Sequence, residues 1–194
     1  MKIKKPKYRN AIISDSNELS KLESNIFALD KVNTNFHKEI NKESKKIFIC
    51  SQENQIKEKV YSKIKNSLLK KLNKEINNNQ TENKIIGYIK IWNVIGESHI
   101  EQIGVLSNFR KQGIAEKLLL LSIKYCIDTG SKKILLECRK SNTSAISLYE
   151  KYMFKIISVR KNYYPLNNIR EDAICFESPD ITTNFYYNKF LKIN

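Results

Sequence analysis

The chain predicts an α/β fold in which a central sheet carries helices on both faces. Three observations lead there. Strand-like and helix-like segments alternate along the sequence, the stretch 100–121 reads as an apolar strand, a basic turn and a leucine-rich helix, and 41% of the 194 residues are hydrophobic, enough for a packed core.

Taken in order, Tyr8 to Ile13 reads as an opening strand, and Asp15 or Ser16 as the cap of a helix running to about Phe27, with Leu19, Leu22, Ile26 and Phe27 on one face. Asn33 to Ile40 fits a second short helix, with His37 at the surface. Ile47 to Cys50 and the β-rich run Lys84 to Val94 form a strand pair. Between them lies an insertion at about 51–83, in which Ile56, Val60, Ile64, Leu68, Leu72 and Ile76 recur at every fourth residue among lysines. It reads as a basic amphipathic helix, either a docking arm for an acidic surface or a tolerated loop expansion. After the central strand (Ile100 to Leu106), a helix runs to about Thr129 and Gly130 stops it. Lys133 to Arg139 is a strand, and Ser141 or Asn142 caps a helix with Ala145, Leu148, Tyr149 and Tyr152 on its buried side. Phe154 to Val159 and Asp172 to Glu177 read as strands around a polar loop, Asn162 to Arg170, and Ser178 to Asn194 as an aromatic extension without pattern. The whole is expected to be a single domain over 1–194, with the insertion and an extension at about 178–194.

The formal net charge of +15 favours acidic partners such as RNA, a ribosome or a phosphorylated cofactor. Compositional drift competes with this, because lysine supplies most of the charge and asparagine and isoleucine abound. Cys50, Cys126, Cys138 and Cys175 are far apart, with no Cys-x-x-Cys pair and no histidine cluster, which predicts neither a metal site nor a disulfide framework and suits a reducing compartment. No apolar run of signal or membrane length follows the basic start, so a cytoplasmic location without membrane association is expected.

The chemistry concentrates in three places. The turn Arg110-Lys111-Gln112-Gly113-Ile114-Ala115 precedes a helix whose unpaired N–H groups and positive dipole end make an anion site, which a pyrophosphate fits; plain capping is the alternative. Glu137 lies in a strand flanked by helices in sequence, where a partly desolvated carboxylate suits a general base; a pairing with Arg139 or Lys133 is the alternative, which spacing alone slightly favours. Tyr149 offers a hydroxyl to a leaving group, or is simply an aromatic core residue.

The runs GVLSNFRKQGIAEKLL, ILLECRKSNTSAISLYEKYMF and RKNYYP with REDAI resemble the acyl-CoA-binding core of the GNAT acetyltransferase superfamily, and most nearly its RimI type, the bacterial ribosomal-protein N-terminal alanine acetyltransferases. The resemblance is good over about 99–176, weaker over 8–49 and absent from the insertion and the extension. It implies a mixed, mostly antiparallel sheet and acetyl-CoA as co-substrate, with no metal. It further implies that the backbone of Ile103, Gly104 and Val105 receives the pantetheine arm, that Arg110, Lys111, Gln112, Gly113, Ile114 and Ala115 wrap the pyrophosphate, and that Asn142 holds the cofactor arm. Glu137 would be the general base and Tyr149 the general acid; Tyr164, Glu171 and Asp172 would border the peptide groove. The acceptor would be a protein N-terminus, as of a small-subunit ribosomal protein, with weak ribosome or RNA contact through the insertion and a monomer or weak dimer as the state.

Departures from the family pattern bear on these roles. Met153 stands where a glycine is common, which predicts a different helix end; residues 28–36 lack the usual Pro-Trp pair; and Glu101 on the central strand is a rival base. Two other functions stay open: a GNAT enzyme for a lysine side chain or a small amine, and a basic RNA- or ribosome-binding protein with a non-catalytic acyl-CoA site.

Overall fold

The computed structural model describes residues 6–30, 32–53, 83–94, 96–166 and 168–192. Within them the order is β1 (Lys7–Asn10), α1 (Ser16–Ile26), α2 (Phe36–Ile40), β2 (Lys45–Glu53), β3 (Asn83–Val94), β4 (Glu97–Val105), α3 (Ile114–Asp128), β5 (Lys133–Arg139), α4 (Thr143–Lys151), β6 (Lys155–Leu166), β7 (Ile169–Glu177) and α5 (Asn184–Phe190). The seven strands form one sheet in the order β1-β2-β3-β4-β5-β7-β6. Among the described residues β4–β5 is the parallel pairing and the other pairings are antiparallel. This is the mostly antiparallel sheet with helices on both faces that the sequence pattern and the resemblance implied.

Period-two alternation builds two cores. In β2, Ile47 and Ile49 join Leu19, Leu22, Phe36, Ile85 and Tyr88 under α1 and α2, whereas Phe48 and Cys50 point to the opposite cluster. That second, larger core gathers Leu118, Leu119, Ile123 and Cys126 of α3, Tyr149 of α4 and Tyr186 of α5. The 15-residue α3 reads in sequence as apolar on most of its surface, and it supplies six buried residues.

Under α1 a buried carboxylate fixes the chain. Glu23 is 1% exposed. It accepts hydrogen bonds from the Thr34 amide (2.9 Å), the Thr34 hydroxyl (2.5 Å) and, more weakly, the Tyr88 hydroxyl (3.4 Å). A buried acid is retained only when so satisfied, and here it pins the connection between α1 and α2 to β3.

Several expectations are corrected. The opening strand ends at Asn10, because Asp15 accepts from the Arg9 guanidinium (2.6 and 2.8 Å) and the Ile12 amide (2.8 Å) and folds 13–15 into a short 3-10 turn. The expected polar loop 162–170 is a hairpin: β6 extends to Leu166 and β7 begins at Ile169. Pro165 is tolerated there because β6 is the edge strand of the sheet. The aromatic extension carries α5, capped by Thr183, with Tyr186 buried and Phe190 against Tyr152 (ring centroids 5.1 Å).

Met153 does not divert the end of α4. It adopts the left-handed φ of 63° itself. Phe154 N–H bonds Tyr149 C=O (3.1 Å) and Met153 N–H bonds Glu150 C=O (2.9 Å), the pair of bonds that closes a helix through a left-handed residue. The Phe154 ring packs on Tyr149 at 5.9 Å, and that contact holds the strained cap in place. The amphipathic helix expected in the insertion lies outside the described residues, which at its borders continue β2 to Glu53 and resume β3 at Asn83.

Candidate active site

The site begins where β4 parts from β5. The two strands pair only from Glu97↔Lys133 to Ile100↔Leu136. At that point the β3–β4 register jumps from Ile91↔Ile100 to Lys90↔Gln102 and leaves Glu101 unopposed, a bulge that bends β4 away. Beyond it, residues 102–105 keep β3 on one side and, among the described residues, have no strand on the other. Backbone groups along such an edge need partners, and an extended ligand with amide bonds supplies them in the manner of an added strand. Gly104 is required here for a packing reason: a Cβ would come within 2.9 Å of Ile26 at the end of α1.

A short turn anchored by buried Phe109 leads from β4 to α3. Lys111 (φ 59°) and Gly113 (φ 76°) are both left-handed, and Gly113, the N-cap of α3, contributes no side chain to the first N–H groups. Two left-handed residues before an uncapped helix start turn backbone N–H groups outward into an anion cradle. Arg110 folds back, its Nε donating to Val105 C=O at 3.1 Å. Lys111, Gln112 and Gly113 are exposed at the cradle, whereas the side chain of Ile114 is core. Asn142 caps α4, its side chain accepting from Ala145 N–H at 3.2 Å.

Alternation along β5 divides the chemistry. Leu136 and Cys138 join the α3–α4 core, so Glu137 and Arg139 face the opposite side, where α1 ends. Glu137 is 26% exposed and has Arg160 at 3.0 Å, and its carboxylate raises the pKa of the neighbouring Tyr163 hydroxyl. Tyr149 reaches β5 from the other face, 2% exposed, with its ring 5.6 Å from Phe176. Burial, and then the nearby Cys138 and Tyr164, push its pKa far above the ordinary tyrosine value, so the hydroxyl keeps its proton at any physiological pH. Tyr164 is raised likewise, by burial first and the charge of Glu137 next.

The rival base is differently placed. Glu101 is gripped by Lys45 at 2.5 Å and faces Lys90 at 3.8 Å, both lysine side chains 10% exposed. Burial pushes the Cys138 thiol up to about 11, which fits packing and not nucleophilic work. Of the residues expected to border the groove, Glu171 accepts from the Ser141 amide (2.5 Å) and Arg139 (3.1 Å), and Asp172 accepts from the Asn162 amide (3.0 Å). Both carboxylates hold the hairpin in place.

Three residues escaped the sequence reading, Glu23, Arg160 and Tyr163, and the expected pairing of Glu137 with Arg139 or Lys133 is corrected: Lys133 bonds Glu177, Glu137 meets Arg160, and Arg139 pairs elsewhere. Arg139 joins three elements, bonding Asp30 after α1, Glu171 on β7 and the Pro165 C=O on β6 (2.7 Å), with Tyr164 stacked at 4.8 Å. Its position two residues after Glu137 on one strand was a usable signal for a shared face. Tyr163 carried none, because its aim depends on a bulge: three residues, 161–163, sit between the Arg160↔Ala173 and Tyr164↔Glu171 pairs, with Asn162 left-handed.

The parted parallel strand pair, the anion cradle and the helix after it lie within the region that defines the chain's class, an acetyltransferase domain. Residues 41–154 match the model of the acetyltransferase (GNAT) family, and the chain belongs to that family. A protein of Bacillus subtilis (strain 168) named putative [ribosomal protein bS18]-alanine N-acetyltransferase is 32% identical over 95 residues, which are 49% of this chain and 62% of that one; the chain thus spans under two thirds of this relative. The crystal structure of the ribosomal-protein-S18-alanine N-acetyltransferase from Escherichia coli superposes with a TM-score of 0.68 at 23% identity, covering 91% of this chain and 94% of that one. That of Arabidopsis thaliana NAA60 in complex with acetyl-CoA gives 0.66 at 18%, covering 89% and 97%. Among the described residues no helix is long and apolar enough to cross a membrane.

Proposed function

We propose that the chain transfers an acetyl group from acetyl-CoA to the α-amino group of a protein N-terminus, an N-terminal alanine of a ribosomal protein being the acceptor class. The observation that carries this reading is that Glu137 projects from one face of β5 and Tyr149 packs against the other, just past the point where β4 leaves the strand. The names of the relatives support the acceptor class.

The co-substrate supplies an activated thioester. The cradle at 110–115 and the first turn of α3 hold its pyrophosphate, Asn142 its arm, and the free edge of β4 at Ile103, Gly104 and Val105 its amides. An α-ammonium has a pKa of about 8, so a carboxylate removes its proton with little penalty near neutral pH, directly or through one water. Glu137 takes that proton. The C–N bond forms as the C–S bond breaks, a β4 N–H stabilises the negative charge on the carbonyl oxygen, Tyr149 gives its proton to the departing sulfur, and the excess proton on the new amide nitrogen passes through water to restore Tyr149, while Glu137 releases its own to solvent. Tyr164 and the hairpin border the acceptor, with Glu171 and Asp172 supporting that wall.

The test is direct. Purified protein with acetyl-CoA is expected to acetylate a peptide with a free N-terminal alanine and to release CoA, and Glu137→Gln is expected to lower the rate at least tenfold with acetyl-CoA affinity unchanged. A peptide with a blocked N-terminus and an internal lysine that reacts faster would replace this reading with a lysine acetyltransferase. Acetyl-CoA binding without any turnover, together with RNA binding, would favour the non-catalytic alternative.

A further inference from the structure

We infer that Arg160 is a stand-in for the acceptor's ammonium group: it neutralises Glu137 in the free protein and is displaced when a charged N-terminus binds, so that it sets acceptor affinity. This rests on the reading of Glu137 as the acceptor-side base.

The geometry of the pair is unusual for a structural salt bridge. Arg160 stands on β6, two strands away from Glu137, and its guanidinium crosses β7 beside Cys175 to come within 3.0 Å of Oε2. The arginine side chain is 56% exposed and the glutamate 26%. An exposed, long side chain is free to swing into water, and such a pair is weakly held. Three other cations on this face of the sheet are committed. Lys45 and Lys90 are nearly buried against Glu101, and Arg139 is bonded to Asp30, Glu171 and the Pro165 carbonyl. Release of Arg160 leaves Glu137 beside the polar hydroxyl of Tyr163, whose pKa it raises. The Tyr163 ring lies 5.2 Å from the guanidinium, and gives it a surface to slide along.

An ammonium entering this place meets a carboxylate already paired. The two cations cannot both bond it closely without repelling each other, so the acceptor must displace the guanidinium. The acetylated product has lost its charge and does not compete, which lets Arg160 return as product leaves. Arg160 is therefore a positioning residue that acts through Glu137.

The test is calorimetric titration of the full chain saturated with CoA, using a hexapeptide with a free N-terminal alanine and the same peptide acetylated. Arg160→Met is expected to bind the free-amine peptide about threefold more tightly, in line with the strength of an exposed ion pair, and the acetylated peptide as the wild type does. Arg160→Lys is expected to behave like the wild type, and Glu137→Gln to abolish the effect of Arg160→Met. Unchanged or weaker binding of the free-amine peptide, equal tightening of both peptides, or an effect that persists with Glu137→Gln would overturn the inference while leaving the proposed reaction standing. A wild-type protein that binds neither peptide would overturn both.

Discussion

Tyr149→Phe separates chemistry from packing better than any other change in this molecule. The ring is the structural part of the residue: it sits 5.9 Å from the Phe154 ring and 5.6 Å from the Phe176 ring in the core between the sheet and α4. Phenylalanine keeps those contacts and removes one oxygen, so the fold is expected to change in stability by no more than about 1 kcal/mol. Proton donation to a leaving group contributes a factor of about 10² to 10⁴, and its loss should lower turnover at least tenfold. The sign of the pH dependence follows from burial. The raised pKa keeps the hydroxyl protonated as pH climbs past the ordinary tyrosine value of 10.0, so wild-type activity should show no loss of this donor between about pH 7 and 9. Steady-state acetylation of the alanine peptide, acetyl-CoA titration and thermal melting would be run side by side. A variant that turns over within twofold of the wild type, with cofactor affinity intact, would remove Tyr149 from the mechanism.

Two further outcomes are expected. Arg139→Met should destabilise the chain by about 2 kcal/mol in denaturant unfolding, less than a fully buried pair would cost because the guanidinium is 16% exposed, since Asp30 and Glu171 both lose their cation; it should also raise the acceptor KM, because the turn after α1 and the β6–β7 hairpin are no longer tied together. Met153→Gly should stabilise the chain by about 1 kcal/mol, read as a higher unfolding midpoint, because glycine takes the φ of 63° without steric strain.

Elements whose local rule and tertiary setting agree could be read from the residues alone. Lys133–Arg139 has the strand bounds expected, α3 starts after Gly113, and Gly130 ends it in the left-handed region at φ 83°. Asn142 caps α4 as its position before the helix implied. Elsewhere the setting prevailed. Asn162, Tyr163 and Pro165 carry loop chemistry, yet an edge position and a bulge keep them in a strand. Met153 lacks the residue type its backbone needs, and a hydrophobic contact with a helix-end hydrogen-bond pair overrides that preference.

By itself the sequence determined the alternating order of elements, the basic glycine turn before α3 and the face periodicity that separates Glu137 and Arg139 from Leu136 and Cys138, because each depends on residues a few positions apart. Tertiary structure alone decided which groups meet Glu137. Arg160 reaches it across an intervening strand, Tyr163 is brought beside Arg160 by a bulge of two extra residues, and the gap beside Glu137 exists because a one-residue bulge at Glu101 turns β4 aside. Those are long-range contacts, fixed by strand order and register, and no local pattern of residue types encodes them.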